Sequence, residues 1–252
     1  MAISVKKMDE KDGISRYVVK GVTPAFINAV RRSAMQHTPC LAIEDVSVYE
    51  NDSVMFDEFL AHRLGMLPVK TDIKAYKQDD TVKMVLEKEG PCTVYSKDIK
   101  STDPKIEIMD KNIPITKLTA GQRLKVEMQA VMNCGKEHAK WQPAVIAYRE
   151  IPDLVVSKEC NACGDCAKAC PSGLLEMKGK VVSMDKMDEC SLCGACVDSC
   201  KKEALKLSFG KNGYLLVVEP TAGLDVKELV GGAVKALLEK SKDYAKALQK
   251  AK

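Results

Sequence analysis

Along the chain the spacing of apolar positions switches repeatedly between a period of two and a period of three to four, and each switch predicts an element. Residues 3–8 and 14–20 alternate as a strand pair turned at Asp12-Gly13. Thr23-Pro24 then offers an N-cap followed by a proline in the first helical position, and Phe26, Ile27, Val30 and Ala34 fall on one helical face to about residue 37. A strand near 41–49 follows. Asn51-Asp52-Ser53 supplies a further cap, and Phe56, Phe59, Leu60 and Leu64 mark a short amphipathic helix that stops at Gly65. Residues 81–150 read as β-rich, most clearly where Leu124, Val126, Met128, Ala130 and Met132 alternate. Turn signals stand at Glu89-Gly90-Pro91, Asp110-Lys111-Asn112 and Ala120-Gly121. Beyond residue 206, Tyr214 to Glu219 forms an apolar strand. A long helix then opens on the capping box Asp225/Glu228. Its stripe of Val226, Leu229, Val230, Ala233, Val234, Leu237, Leu238, Tyr244, Ala245 and Leu248 is longer than one small domain needs, so part of it is expected to pack on a partner chain. Lys240, Lys242, Lys246, Lys250 and Lys252 form a solvated end.

These elements make an α+β protein. With 252 residues, 46% hydrophobic and 29% charged, the chain has material for two domains or for one domain with an insert. No apolar run approaches the ~20 residues of a membrane span. The start, Met1-Ala2-Ile3-Ser4-Val5-Lys6-Lys7, lacks the apolar region of a signal peptide, so a cytoplasmic protein with no membrane partner is expected. A net charge of +4 does not by itself point to nucleic acid.

Eleven cysteines change the picture. In a long chain without an export signal they favour metal or redox chemistry over disulfides. Cys40, Cys92 and Cys134 are scattered and read as packed thiols. The other eight form two runs, Cys160-x2-Cys163-x2-Cys166-x3-Cys170-Pro171 and Cys190-x2-Cys193-x2-Cys196-x3-Cys200, each cysteine 30 residues after its counterpart. Gly164 and Gly194 repeat too, so the segment is an internal duplication. Three cysteines at two-residue gaps wrap one corner of a cubane, and the fourth is carried off to the other cluster. This predicts two [4Fe–4S] clusters in a ferredoxin-like module. One is expected on Cys160, Cys163, Cys166 and Cys200, the other on Cys190, Cys193, Cys196 and Cys170. A hairpin is expected between the runs, from Leu174 through Lys178-Gly179-Lys180 to Ser183. Zinc sites use paired CxxC knuckles, not CxxCxxC triplets. Lys201 follows Cys200 where the first run has proline. From Lys158 to Lys206 eight lysines balance eight acids, so the module lacks the acidic field of dedicated electron carriers. No nucleotide or flavin fingerprint occurs, and Gly231-Gly232 lies inside a helical pattern. The clusters therefore read as structural or regulatory.

The rest of the chain resembles a known family. Ile27-Asn28-Ala29-Val30-Arg31-Arg32-Ser33-Ala34-Met35, with Thr38 to Ile43, is similar to the N-A-L-R-R motif of the N-terminal domain of the RNA polymerase alpha family. Asp57-Glu58-Phe59-Leu60-Ala61-His62-Arg63-Leu64-Gly65-Met66-Leu67-Pro68 resembles its D-E-x-L-A-H-R-L-G-x-I-P motif. With the ferredoxin insert, the whole resembles the archaeal D-type subunits. The resemblance implies a discontinuous fold. A dimerisation domain comes from residues 1–45 and 214–252, a β-rich domain from 46–153 and 207–213, and the iron–sulfur domain from 154–206. It implies a non-catalytic assembly subunit of DNA-directed RNA polymerase. The helix at 24–37 and the C-terminal helix, through Phe26, Val30, Leu237 and Leu238, would pack on a smaller alpha-like partner, subunit L. That pair would scaffold the large catalytic subunits, with the small subunits N and P joining and DNA reached only through the complex. Arg31 and Arg32 match arginines that face a large subunit. The chain lacks the separate C-terminal DNA-binding domain of bacterial alpha, and no DxDGD-like carboxylate cluster is present to hold Mg²⁺. The alternative is an electron-transfer subunit of a reductase.

Overall fold

In a computed structural model that describes residues 2–178, 181–210 and 212–250, the chain opens with β1 (Ser4–Lys11), β2 (Ile14–Lys20), α1 (Pro24–His37), β3 (Pro39–Asn51) and α2 (Asp57–Gly65). The middle comprises β4 (Thr81–Glu89), β5 (Cys92–Tyr95), β6 (Lys100–Ser101), β7 (Pro114–Leu118), β8 (Arg123–Cys134) and β9 (Ala144–Glu150). The cysteine segment holds β10 (Asp153–Val156), α3 (Asp165–Ala169), β11 (Leu175–Lys178), β12 (Val181–Met184), α4 (Ala195–Asp198) and β13 (Leu205–Ser208), and β14 (Tyr214–Pro220) and α5 (Val226–Lys250) end the chain. Two compact units result, one of residues 1–27 and 147–217, the other of residues 28–146 and 218–252. Among the described residues no helix is long and apolar enough to cross a membrane.

The second unit is organised by β8. Its Leu124, Val126, Met128, Ala130 and Met132 are all buried to 2% exposure or less, while the residues between them turn outward. The sheet order is β3-β8-β4-β6, and the register pairs Leu41 with Met132, and Met84 with Met128, so apolar residues from three strands share one face. A one-residue slip would expose every one of them, which pins the register. Leu60 and Leu64 of α2, with Ile106, Ile108, Ile115 and Leu118, close the core over that face.

The helix α2 differs from expectation in two ways. Leu60 and Leu64 are fully buried, but Phe56 and Phe59 are 73% and 64% exposed. Phe56 is the extended N-cap residue, and Phe59 sits about 100° around the helix from Leu60. A helix of 9 residues with one buried i,i+4 pair has no room to bury both phenylalanines. Nor do Asn51, Asp52 and Ser53 cap it. Asn51 instead braces the approach, its amide donating to the Met55 carbonyl at 2.9 Å and to Asp57 at 2.7 Å.

The long helix divides in function along its length. Asp225 and Glu228 bond each other's backbone N–H groups, forming the expected box. Leu229 and Ala233 are fully buried, Ser33 Oγ of α1 donates to the Ala233 carbonyl at 2.9 Å, and Thr38 Oγ1 donates to that of Leu229 at 3.4 Å. A Cβ at Gly232 would meet Thr38 at 3.1 Å, so Gly232 lets α5 approach this closely, whereas a Cβ at Gly231 would meet nothing within 4 Å. From Val234 onward the stripe loses its cover: Leu238, Tyr244 and Leu248 are 57%, 68% and 55% exposed. Lys240, Lys242, Lys246 and Lys250 are exposed as expected, and Lys252 lies outside the described residues.

The first unit holds the sheet β1-β2-β14-β9 and two small hairpin pairings, β10 with β13 and β11 with β12. Asp12 and Gly13 both have positive φ, 51° and 79°, the twist that suits a two-residue hairpin turn between β1 and β2. Thr23 caps α1 as expected, accepting from the Phe26 N–H at 3.2 Å.

Candidate metal centre

The duplication of the cysteine runs is repeated in the backbone. Each run is preceded by a turn, with Cys160 N–H bonding the Ser157 carbonyl at 3.2 Å and Cys190 N–H that of Met187 at 3.3 Å. Ala162 and Gly164 in the first loop have φ of 57° and 79°, and Leu192 and Gly194 in the second have 62° and 80°. Left-handed conformations at Ala162 and Leu192 cost about 1–2 kcal/mol each for residues with a Cβ. Matched left-handed residues show that the two loops share one backbone geometry, of the strained kind that clusters at binding sites. The short helices α3 and α4 then start at the two glycines. After the fourth cysteines the chain turns again, through Gly173 at φ 61° and Glu203 at φ 50°.

That geometry gathers the cysteines across the duplication. One cavity is lined by Cys160, Cys163, Cys166 and Cys200, with Val182 and Leu205 in its wall. A second is lined by Cys190, Cys193, Cys196 and Cys170, with Met184 and Leu207. In each cavity the middle cysteine of the triplet is exposed, Cys163 or Cys193, and the third is buried, Cys166 or Cys196; Cys190 is buried as well, whereas its counterpart Cys160 is half-buried. The fourth cysteines receive matching backbone bonds: Leu174 N–H donates to Cys170 Sγ at 3.4 Å, and Ala204 N–H to Cys200 Sγ at 3.3 Å. Burial pushes the Cys166 and Cys196 thiols up, a shift that a positive charge bound beside the sulfurs would oppose. Four sulfur donors around an apolar-walled cavity with N–H groups aimed at sulfur suit a four-iron cluster, which takes one thiolate per iron. Among the described residues no group of His, Cys, Asp and Glu is arranged to hold a lone metal ion. The hairpin expected between the runs is present, pairing Leu175 with Met184 and Glu176 with Ser183; Gly179 and Lys180 of its turn lie outside the described residues.

Some contributors escaped the sequence reading. The module is closed by β10 and β13, paired from Asp153↔Ser208 to Val156↔Leu205, and the apolar runs Leu154-Val155-Val156 and Leu205-x-Leu207 were its only signal. Arg149 of β9 donates to the carbonyls of Asp188 and Cys190. Asn212 donates to the Pro152 carbonyl at 2.8 Å. Nothing in one-dimensional spacing connects these residues to the cysteines.

The remaining singled-out residues lie elsewhere. Cys40 is buried and its thiol is pushed up to about 12, chiefly by burial and secondarily by Cys134; Cys92 and Cys134 are half-buried. On α1, Arg32 is exposed, whereas Arg31 is half-buried and holds Asn28 Oδ1 at 3.1 Å. Phe26 is 46% exposed, Val30 and Leu237 are half-buried, and Leu238 is exposed.

Comparison with known proteins agrees with both parts of this picture. Residues 46–148 match the RNA polymerase Rpb3/RpoA insert domain, and residues 159–204 match a 4Fe-4S dicluster domain. The chain is 36% identical to DNA-directed RNA polymerase subunit Rpo3 of Archaeoglobus fulgidus, over 99% of each chain. It is 36% identical to that of Pyrococcus furiosus over 98% of each, and 38% identical to that of Methanothermobacter thermautotrophicus over 96% of each. Such relatives do not favour an electron-transfer subunit of a reductase. Near-complete coverage at this identity, with both domain types in the expected order, places the chain in the Rpo3 family of archaeal DNA-directed RNA polymerase subunits.

Proposed function

We propose that this chain is a non-catalytic assembly subunit that pairs with the smaller alpha-like subunit L, and that the pair scaffolds the large catalytic subunits, with subunits N and P joining it. The observation that carries the reading is the division of α5. Its first half is buried in its own unit, and its second half leaves Leu238, Tyr244 and Leu248 exposed along a regular stripe. An apolar helical stripe without cover is a docking face. The dimerisation domain comprises residues 1–45 and 214–252, the β-rich domain 46–153 and 207–213, and the iron–sulfur domain 154–206. Phe26, Val30, Leu237 and Leu238 contribute to the L interface. Arg31 and Arg32 meet a large subunit, Arg32 being the freer of the two. The chain reaches DNA only as part of the complex.

The iron–sulfur domain holds two [4Fe–4S] clusters, one on Cys160, Cys163, Cys166 and Cys200 and the other on Cys190, Cys193, Cys196 and Cys170. The grouping of the cysteines around two cavities supports this crossed ligation. Bound clusters would supply the positive iron that keeps buried thiolates charged, and so much of the folding free energy of a short, apolar-poor segment. Their role is structural or regulatory: they hold a surface that later subunits need. Purification of the tagged full chain from its native cell under anaerobic conditions tests the whole reading. Recovery with L and the large polymerase subunits is expected. Recovery with a flavoprotein reductase and without polymerase would overturn it.

A further inference from the structure

The two cysteine loops are copies of one another, but among the described residues side-chain donors from outside the duplication reach the turn of the second alone. Arg149, half-buried on β9, directs both terminal nitrogens of its guanidinium at the turn that delivers the second run, donating to the carbonyls of Asp188 and of Cys190 itself. Asn212 braces the same turn, its amide nitrogen 3.2 Å from Met187 Sδ while it donates to the Pro152 carbonyl. At the matching place in the first run, the carbonyls of Lys158 and Cys160 receive no side-chain donor among the described residues. That loop is held instead by the continuing β10 strand and by Ser157 N–H on the Ala204 carbonyl at 2.8 Å. The two carbonyls that Arg149 holds are neutral acceptors, so these bonds place its positive charge beside a ligating residue without cancelling it.

The geometry points to Arg149 as a positioning residue for the second cysteine set alone. Its planar fork fixes the backbone on which Cys190 is presented and leaves a permanent cation beside that site. It follows that the two sites differ in lability although their ligands are identical. The set of Cys190, Cys193, Cys196 and Cys170 depends on a latch from the β1-β2-β14-β9 sheet, whereas the set of Cys160, Cys163, Cys166 and Cys200 depends only on its own module. The cation also favours the reduced, more negative form of whatever cluster the second set holds, raising its potential relative to the first.

The inference rests on the two-cluster reading, and the test separates them. Wild type, Arg149→Met and Arg149→Lys are purified without oxygen as full chains, and iron, sulfide and the spectra of the reduced clusters are measured during exposure to a chelator. Loss of a supporting contact to a metal ligand typically costs about 10-fold or more in affinity. Arg149→Met is therefore expected to release half of its iron about 10-fold faster than wild type while the other half leaves at the wild-type rate. The retained half is the internal control for folding. In protein still fully loaded, one reduction midpoint should fall and the other stay. Arg149→Lys keeps the charge but not the fork, so it should restore the midpoint and only part of the stability. Release at the wild-type rate from both sites, or equal acceleration at both, would overturn the assignment to Arg149. Wild type holding a single cluster would overturn the two-cluster reading instead.

Discussion

The docking role of α5 can be tested on one residue. Leu238 is 57% exposed in the chain alone, whereas Leu229, on the same helix and stripe, is fully buried. Fully burying a leucine is worth about 2–3 kcal/mol, so covering the exposed part of Leu238 supplies about 1.5 kcal/mol. Removing it in Leu238→Ala should weaken L binding about tenfold. Leu238→Asp is harsher, because it places an unpaired carboxylate in an apolar seam. A cost of about 3–5 kcal/mol raises the dissociation constant by roughly two to nearly four orders of magnitude. Neither change should alter the melting of the unbound chain, since the side chain there already faces water. Leu229→Ala is the counterpart: it empties a filled core position and should cost about 2–5 kcal/mol of stability. Titration of fluorescently labelled L into each variant, alongside thermal melts of the variants alone, reads both effects. If Leu238→Asp binds L within about threefold of wild type, or melts as early as Leu229→Ala, the division of the helix into a buried half and a docking half is wrong.

Other expectations concern the cysteines. Protein kept from oxygen should contain about eight irons and eight sulfides per chain, and zinc without sulfide would refute the cluster assignment. Cys170→Ser should damage the cluster of the second run and Cys200→Ser that of the first; damage confined to each residue's own run would refute the crossed ligation. Joint replacement of Cys163 and Cys193 by Ala should leave L binding intact, because α1 and α5 lie outside the module, yet reduce incorporation into whole polymerase; normal incorporation would show the clusters to be dispensable. Cys40 should resist thiol reagents at pH 8 in the folded chain. Its thiol is raised by burial from 9.0 to about 12, so folding favours the protonated form. That contribution is complete below pH 9 and is lost as pH rises toward about 12, a loss that Cys40→Ala should remove from the pH profile of unfolding.

Most of the local structure was legible in the sequence because it follows from short-range physics. Thr23-Pro24 and the Asp225/Glu228 box satisfy helix-end N–H groups from within four residues, and both helices begin where those residues stand. The alternation in β8 survived intact because every second residue faces the same core. The cysteine spacing announced an iron–sulfur module because the reach of a CxxCxxC loop is a local property.

Tertiary structure decided the rest. Phe56 and Phe59 look like core residues by type, but α2 presents only the Leu60 and Leu64 face to the sheet, and their exposure depends on where the helix docks. The stripe of α5 is continuous in sequence; that it is buried at Leu229 and bare at Leu238 depends on the length of α1 and Thr38 lying beside it. The crossed partition of the eight cysteines was expected from their spacing, but the apolar walls of the two cavities, Val182 and Leu205 in one and Met184 and Leu207 in the other, come from the docking of β12 and β13. Arg149, 41 residues from the carbonyl it holds at Cys190, carried no signal at all. Periodicity and motif spacing report contacts within a few residues. Contacts between distant segments depend on the docking of whole elements, where burial, close packing and the need to pair buried polar groups decide together.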